Sequence, residues 1–249
     1  MRIYTILTAL LAGILLAAPR PASALTAIEL LASVDSNQCF TTERFKAAMT
    51  ILKQGRKLVK VFSGYGAKEG QKFMITFSNP EDKGVKYLRL NDELWIWLPD
   101  AQDSMKISGH MLRQGMMGSD LSYEDMLKGE SLLDEYSAVL AAPTNFGGTD
   151  CERLILMAKK DDVAYYRRDC LVDSKRSVVL RVDLFGPSGR LLKRMTFSDI
   201  REIGGRFVAM RSSVRDMTRR GSETIVEFLD LAFDEPIQPG AFSKAMLSR

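Results

Sequence analysis

Histidine occurs once in these 249 residues, as His110, and cysteine three times, as Cys39, Cys151 and Cys170. A zinc site draws several such ligands from close spacings, so no metal ligands are expected. No G-x-G-x-x-G opens a helix and no Walker loop appears, so no nucleotide cofactor is expected either. Gly64-Tyr65-Gly66 lacks the helix that would follow such a loop. His110, Ser119 and Asp120 fall together in one loop, without a nucleophile elbow around the serine. A hydrolytic triad takes its members from separate rigid elements, so no catalytic residues and no enzyme activity are expected. Runs of five or six like charges are also missing. Lys and Arg number 35 against 31 Asp and Glu, a balance that excludes nucleic acid as an expected partner. Beyond residue 24 no stretch approaches the roughly 20 apolar residues of a membrane-spanning helix. The mature chain is therefore expected to be soluble, with transient membrane contact only.

What is present begins with an export signal. Arg2 supplies a positive start, Ile6 to Ala18 is an apolar run, and Ala22-Ser23-Ala24 offers the small-x-small pattern of signal peptidase sites. Cleavage after Ala24 leaves a mature chain from Leu25, expected in the periplasm. No cysteine follows the site, so no lipid anchor is expected. Loss of Arg2 and Arg20 leaves 33 basic against 31 acidic residues. Residues 25–249 carry no repeat, linker or low-complexity tract and are expected to form a single domain.

Thr26-Ala27-Ile28-Glu29 is a capping box, and Ile28, Leu31 and Ala32 are expected to form the packed face of the helix it starts. From Phe45 the apolar period changes to two. Phe45, Ala47, Met49 and Ile51 alternate, as do Phe73, Ile75 and Phe77, with Gly64 to Gly70 read as a Gly-rich connection. Leu88 and Leu90 precede the Asn91-Asp92 turn into Leu94–Leu98, a strand apolar on both sides and so expected to be covered on both. Ser122 starts a short helix with acids in its first turn. Residues 135–142 fit helix or strand. Further short strands follow to Phe233, joined by tight turns such as Gly186-Pro187-Ser188-Gly189 and Gly204-Gly205. This is the pattern of an antiparallel meander, mainly β.

The cysteines allow a geometric expectation. A two-residue turn at Lys160-Asp161 would place Cys151 directly opposite Cys170 on adjacent strands, within disulfide range in an oxidising compartment. Two reduced buried cysteines are the alternative. Cys39 is then expected to be a plain buried residue.

Phe73, Ile75, Phe77, Leu88, Leu90, Trp95 and Trp97 are expected to share one apolar surface. Filled by the protein's own side chains, it is core. Left open by a strongly curved sheet, it is a cavity for an acyl chain, at about 0.8 kcal/mol per buried CH₂. Met111, Met116, Met117 and Tyr123 would suit an adaptable lid or rim, or a loop packed on the core.

Four pieces of the chain resemble one family. They are Phe77-Ser78-Asn79-Pro80 with Gly84; Leu94-Trp95-Ile96-Trp97-Leu98-Pro99; Met117-Gly118-Ser119-Asp120-Leu121-Ser122-Tyr123-Glu124-Asp125; and Gly189-Arg190-Leu191-Leu192-Lys193 with Phe197-Ser198-Asp199. Together they resemble the bacterial outer-membrane lipoprotein-sorting proteins, relatives of the LolA and LolB carriers. The resemblance implies an unclosed antiparallel β-barrel with a few helices against its concave face. It also implies a periplasmic, non-catalytic carrier or binder of lipoprotein or lipid cargo, serving outer-membrane biogenesis. The alternative is an accessory module docked on an inner-membrane transporter or exporter, with no open ligand cavity.

Overall fold

A computed structural model describes residues 25–67, 71–127, 132–161 and 163–248. The expected signal segment, residues 1–24, lies outside them. The chain starts with helix α1 (Ala27–Asn37), and its capping box forms: Thr26 Oγ1 accepts from the Glu29 amide at 3.2 Å, and Glu29 Oε2 accepts from the Thr26 amide at 2.8 Å. The packed face differs from the expectation. Leu30, Leu31 and Val34 are buried, whereas Ile28 is 62% exposed.

Thirteen strands follow among the described residues: β1 (Thr42–Lys53), β2 (Arg56–Ala67), β3 (Lys72–Phe77), β4 (Lys86–Leu90), β5 (Glu93–Leu98), β6 (Asp103–Ile107), β7 (Tyr136–Phe146), β8 (Thr149–Ala158), β9 (Arg167–Asp173), β10 (Val178–Phe185), β11 (Leu191–Ile203), β12 (Arg206–Asp216) and β13 (Ser222–Phe233). They make one antiparallel sheet in the order β6-β5-β4-β3-β2-β1-β13-β12-β11-β10-β9-β8-β7. Every neighbour is the next strand in the chain except at β1–β13. The edges are β6 and β7, which do not pair, so the barrel stays open. Between those edges the described residues carry two short α-helices, α2 (Tyr123–Leu127) and α3 (Leu132–Glu135). Residues 135–142, compatible with either state in the sequence, are almost all strand.

Gly64 and Gly66 lie inside β2 rather than in a connection. A side chain at Gly64 would meet the Phe45 ring and the Met74 carbonyl, both at 2.6 Å. Glycine there lets the Phe45 ring of β1 and the backbone of β3 come close to β2.

Two apolar cores occupy the sheet's inner face. One joins Phe45, Ala47, Met49 and Ile51 of β1 to Phe73, Ile75 and Phe77 of β3, Tyr87 of β4, and Leu94 and Ile96 of β5. The segment 111–127 packs on it through Met116, with Met111, Met117, Tyr123 and Met126 partly buried. The other core packs α1 against β8–β10 through Leu30, Leu31, Val34, Leu154, Leu156, Val172 and Leu184. Each side chain so buried contributes about 1.5–3 kcal/mol. On the outer face, Leu88, Leu90, Trp95 and Trp97 are covered by Phe242, Met246 and Leu247. Lys244 Nζ sits 3.5 Å from the Trp95 ring centre, a cation–π contact that pins this terminal segment. The β5 strand is therefore covered on both faces, by two different segments.

The expected Cys151–Cys170 bridge does not form; both are free thiols. Strand β8 ends at Ala158 and β9 starts at Arg167, further apart than a two-residue turn allows, and Glu152 pairs with Val172 while Cys170 faces Leu154. That register moves Cys170 three positions from Cys151. An odd shift puts the two side chains on opposite faces. Cys170 lies in the core beside α1 and Cys151 in a cluster with Leu171, Val178 and Leu180. Cys39 is exposed, not buried as expected, because it follows α1 at the rim of a cavity.

Candidate ligand-binding site

The seven residues expected to share one surface fall on two. Phe73, Ile75 and Phe77 face inward, whereas Leu88, Leu90, Trp95 and Trp97 face outward. The register explains the split. Ile75 pairs with Tyr87, so the inward partner on β4 is Tyr87 and its neighbour Leu88 points away. The inward group is not open either. Tyr87 donates to Met117 Sδ at 3.2 Å, and its hydroxyl lies 3.2 Å from that of Tyr123. Met111, Met116, Met117 and Tyr123 thus seat on the β3–β5 wall.

That segment is held by the most distinctive motif of the sequence. The Asp120 amide donates to Thr224 Oγ1 at 2.9 Å, and its carboxylate accepts from Ser222 Oγ at 2.5 Å and Thr224 Oγ1 at 3.0 Å. Asp125 accepts from Lys193 Nζ at 2.5 Å, Tyr165 Oη at 2.7 Å, and the Ser122 amide and hydroxyl. Burial works against the Asp125 anion, but Lys193 and these donors outweigh it and hold the carboxyl below the usual range. Gly115 completes the turn: a side chain there would meet the Ser119 carbonyl at 2.0 Å. Asp120 and Ser119 are therefore engaged structurally. Ser119 Oγ bonds the Leu121 backbone, and His110 is exposed.

An open cavity of about 560 Å³ lies elsewhere on the inner face. The end of α1 and the residues after it form one wall, with Asp35, Cys39 and Phe40. Strands β10 to β13 supply Val178, Phe197, Val208, Phe228 and Phe233. Such a volume falls within the range of small-molecule sites. Asn37 props this wall. Its amide donates to the Phe207 carbonyl at 2.8 Å, and its oxygen accepts from the Phe207 amide at 3.0 Å. Arg206 fixes the rim. Its Nε donates to the Cys39 carbonyl at 2.6 Å, its Nη2 pairs with Asp234 at 2.9 Å, and its guanidinium lies 5.5 Å from the Phe233 ring centre. The Thr41 amide, then Arg206, hold the Asp234 carboxyl below its ordinary value.

One ionisable side chain of β1 enters this lining. Glu43 lies in phase with Phe45, Ala47, Met49 and Ile51, so the pleat turns it inward. Its register partners are Gly66 and Phe233. A side chain at Gly66 would meet Glu43 Oε1 at 2.6 Å, so glycine there makes room for the carboxyl. Burial alone pushes Glu43 up to about 7. None of the residues expected from the sequence to line a cavity or form its lid lies on this lining. The signal for Glu43 was present: an acid two positions before Phe45, on the same side of an alternating apolar strand. The phenylalanines gave no comparable signal, because they come from strands far apart in the chain.

A family model described as "-like: Uncharacterized protein" matches residues 69–249. The chain belongs to that family. Among solved structures, the family fold recurs in a DUF1329 family protein from Desulfovibrio piger ATCC 29098, at 28% identity and TM-score 0.81, over 89% of this chain and 97% of that one. It recurs in a Vibrio parahaemolyticus domain named for outer membrane lipoprotein sorting, at 20% identity and TM-score 0.80, over 90% and 98%. A LolA superfamily protein from Nitrosomonas europaea gives 17% identity and TM-score 0.73, over 90% and 100%. These likenesses bear out the resemblance read from the four motifs, at the level of fold. No curated protein matches the sequence. No helix among the described residues is long and apolar enough to cross a membrane.

Proposed function

We propose that this protein is a periplasmic carrier or binding protein for lipids or lipid-modified proteins, acting without catalysis after removal of residues 1–24. Residues 25–249 act as a single domain in this reading. The observation that carries it is the cavity of about 560 Å³ with phenylalanines on its walls, set in a fold shared with a LolA superfamily protein. Apolar walls favour an acyl chain by about 0.8 kcal/mol per buried CH₂. Phe40, Phe197, Phe228 and Phe233 hold the chain. The segment bearing Met111, Met116, Met117 and Tyr123 acts as a fixed wall that keeps cargo off β3–β5. A cargo that leaves one membrane and reaches another needs a holder of this kind.

The test is mass spectrometry of organic extracts from protein purified from its native host, with titration of a fluorescent fatty acid. Recovered lipid and saturable binding are expected. Lipid-free protein that binds no fluorescent acyl chain sinks the proposal. A second reading, docking on an inner-membrane exporter, draws on the filled half of the inner face, where segment 111–127 leaves the β3–β5 strands no open surface. Crosslinking in cells that captures an exporter, together with an empty cavity, would favour it.

A further inference from the structure

The cavity is apolar in its walls and acidic in its charge. Three charged or acidic side chains line it: Asp35 from α1, Glu43 from β1 and Arg206 from β12, beside the Cys39 thiol. Arg206 is already committed, to Asp234, the Cys39 carbonyl and the Gly204 carbonyl. Glu43 is different. Among the described residues no hydrogen bond or ion pair reaches its carboxylate, and its strand neighbours at that level are Gly66 and Phe233, which offer none. A carboxyl left without a protein partner in an apolar recess is costly when ionised, and a ligand cation or donor would relieve that cost.

We propose that the cavity takes amphiphiles with an apolar chain and a cationic amine head, and that Glu43 is the residue that selects them. This rests on the carrier reading and adds the class of head group. The chain lies along Phe197, Phe228 and Phe233, and the ammonium meets the Glu43 carboxylate. Anionic heads meet the Glu43 and Asp35 carboxylates and an arginine already bonded to Asp234 and two carbonyls, so they are disfavoured. An amine that stays protonated across the range binds better as Glu43 ionises. Burial holds the empty-site carboxyl near 7, so affinity climbs from pH 5.5 to 8 and levels above that. The other ionisable groups on the lining are Asp35, Arg206 and Cys39, with Asp234 behind Arg206.

The test uses the mature protein loaded with N-phenyl-1-naphthylamine, an uncharged apolar fluorophore. Dodecylammonium, dodecanol and dodecanoate compete for it below their micelle thresholds. At pH 8 dodecylammonium is expected to displace it at a concentration at least tenfold below dodecanoate. Its affinity is expected to fall at least tenfold on going to pH 5.5, while that of dodecanol stays level. Glu43→Gln is expected to bring the amine-to-acid preference below threefold and to flatten the pH dependence. Gly66→Ala, which displaces the carboxyl without removing it, is expected to weaken amine binding and leave dodecanol binding intact. Equal or tighter dodecanoate binding, or an unchanged preference in Glu43→Gln, overturns the inference alone. Failure of all three ligands to displace the fluorophore overturns the carrier reading, and the inference with it.

Discussion

The Asp125 carboxylate and the Lys193 ammonium lie 2.5 Å apart and are both largely buried, one in the segment that joins the sheet's two edges and the other in β11. This pair, with Tyr165 on the same carboxylate, ties that segment to the far half of the sheet. Removing one partner strands the other charge. Lys193→Met is therefore expected to destabilise the fold by about 3 kcal/mol. Urea unfolding checks it, and a loss under about 0.5 kcal/mol, the size of an exposed pair, would refute the buried-clamp reading.

The same carboxyl sets an acid limit. Asp125 is held below its ordinary value of 3.8, so its contribution is complete above that value and disappears as pH falls through the lower native one. Wild type is expected to lose more stability below pH 4 than Asp125→Asn does. Melting curves between pH 2.5 and 6 measure the difference, and parallel curves would contradict it.

Glu43 acts in the opposite direction. A carboxyl raised to about 7 favours the fold while protonated, and this contribution is lost as pH rises from its ordinary 4.5 through 7. Glu43→Gln is expected to leave stability nearly unchanged at pH 4.5 and to raise it at pH 8, by about 3 kcal/mol at most. Equal shifts at both pH values would show that the carboxyl is not desolvated in the empty protein.

Thiol counting tests the β8–β9 register. Native protein is expected to react with Ellman's reagent at Cys39 alone, and at all three cysteines once unfolded. Burial pushes the Cys170 thiol up to about 12, which adds to its inertness. Dithiothreitol is expected to leave the melting temperature unchanged. A mass lower by two hydrogens after periplasmic expression would mean that a bridge forms.

The two faces of the sheet separate stability from binding. Trp97→Ala opens a gap under the terminal segment and is expected to cost about 3 kcal/mol with ligand affinity unchanged. Val208→Trp fills the cavity and is expected to weaken fluorescent acyl-chain binding at least tenfold with little loss of stability. Weakened binding in the first variant and none in the second would place the ligand elsewhere.

Much of this protein is decided locally. Alternation from Phe45 onward makes strands, Thr26 and Glu29 cap the first helix, and tight turns force neighbouring strands to pair. The antiparallel meander follows from these because each is a short-range effect. The motif around Asp120 and Asp125 was legible as a signature, but its work as a clamp was not, since its partners Lys193, Ser222 and Thr224 lie far along the chain. The faces of Phe73 and Trp95 depended on the registers across β3–β5, and the fate of Cys151 and Cys170 on the length of one connection. A strand's period of two makes face assignment turn on a single residue, so only the assembled sheet resolves it. The cavity is tertiary throughout. It exists because α1, β1 and β10–β13 meet without filling the space between them, and no one of those segments carries that fact.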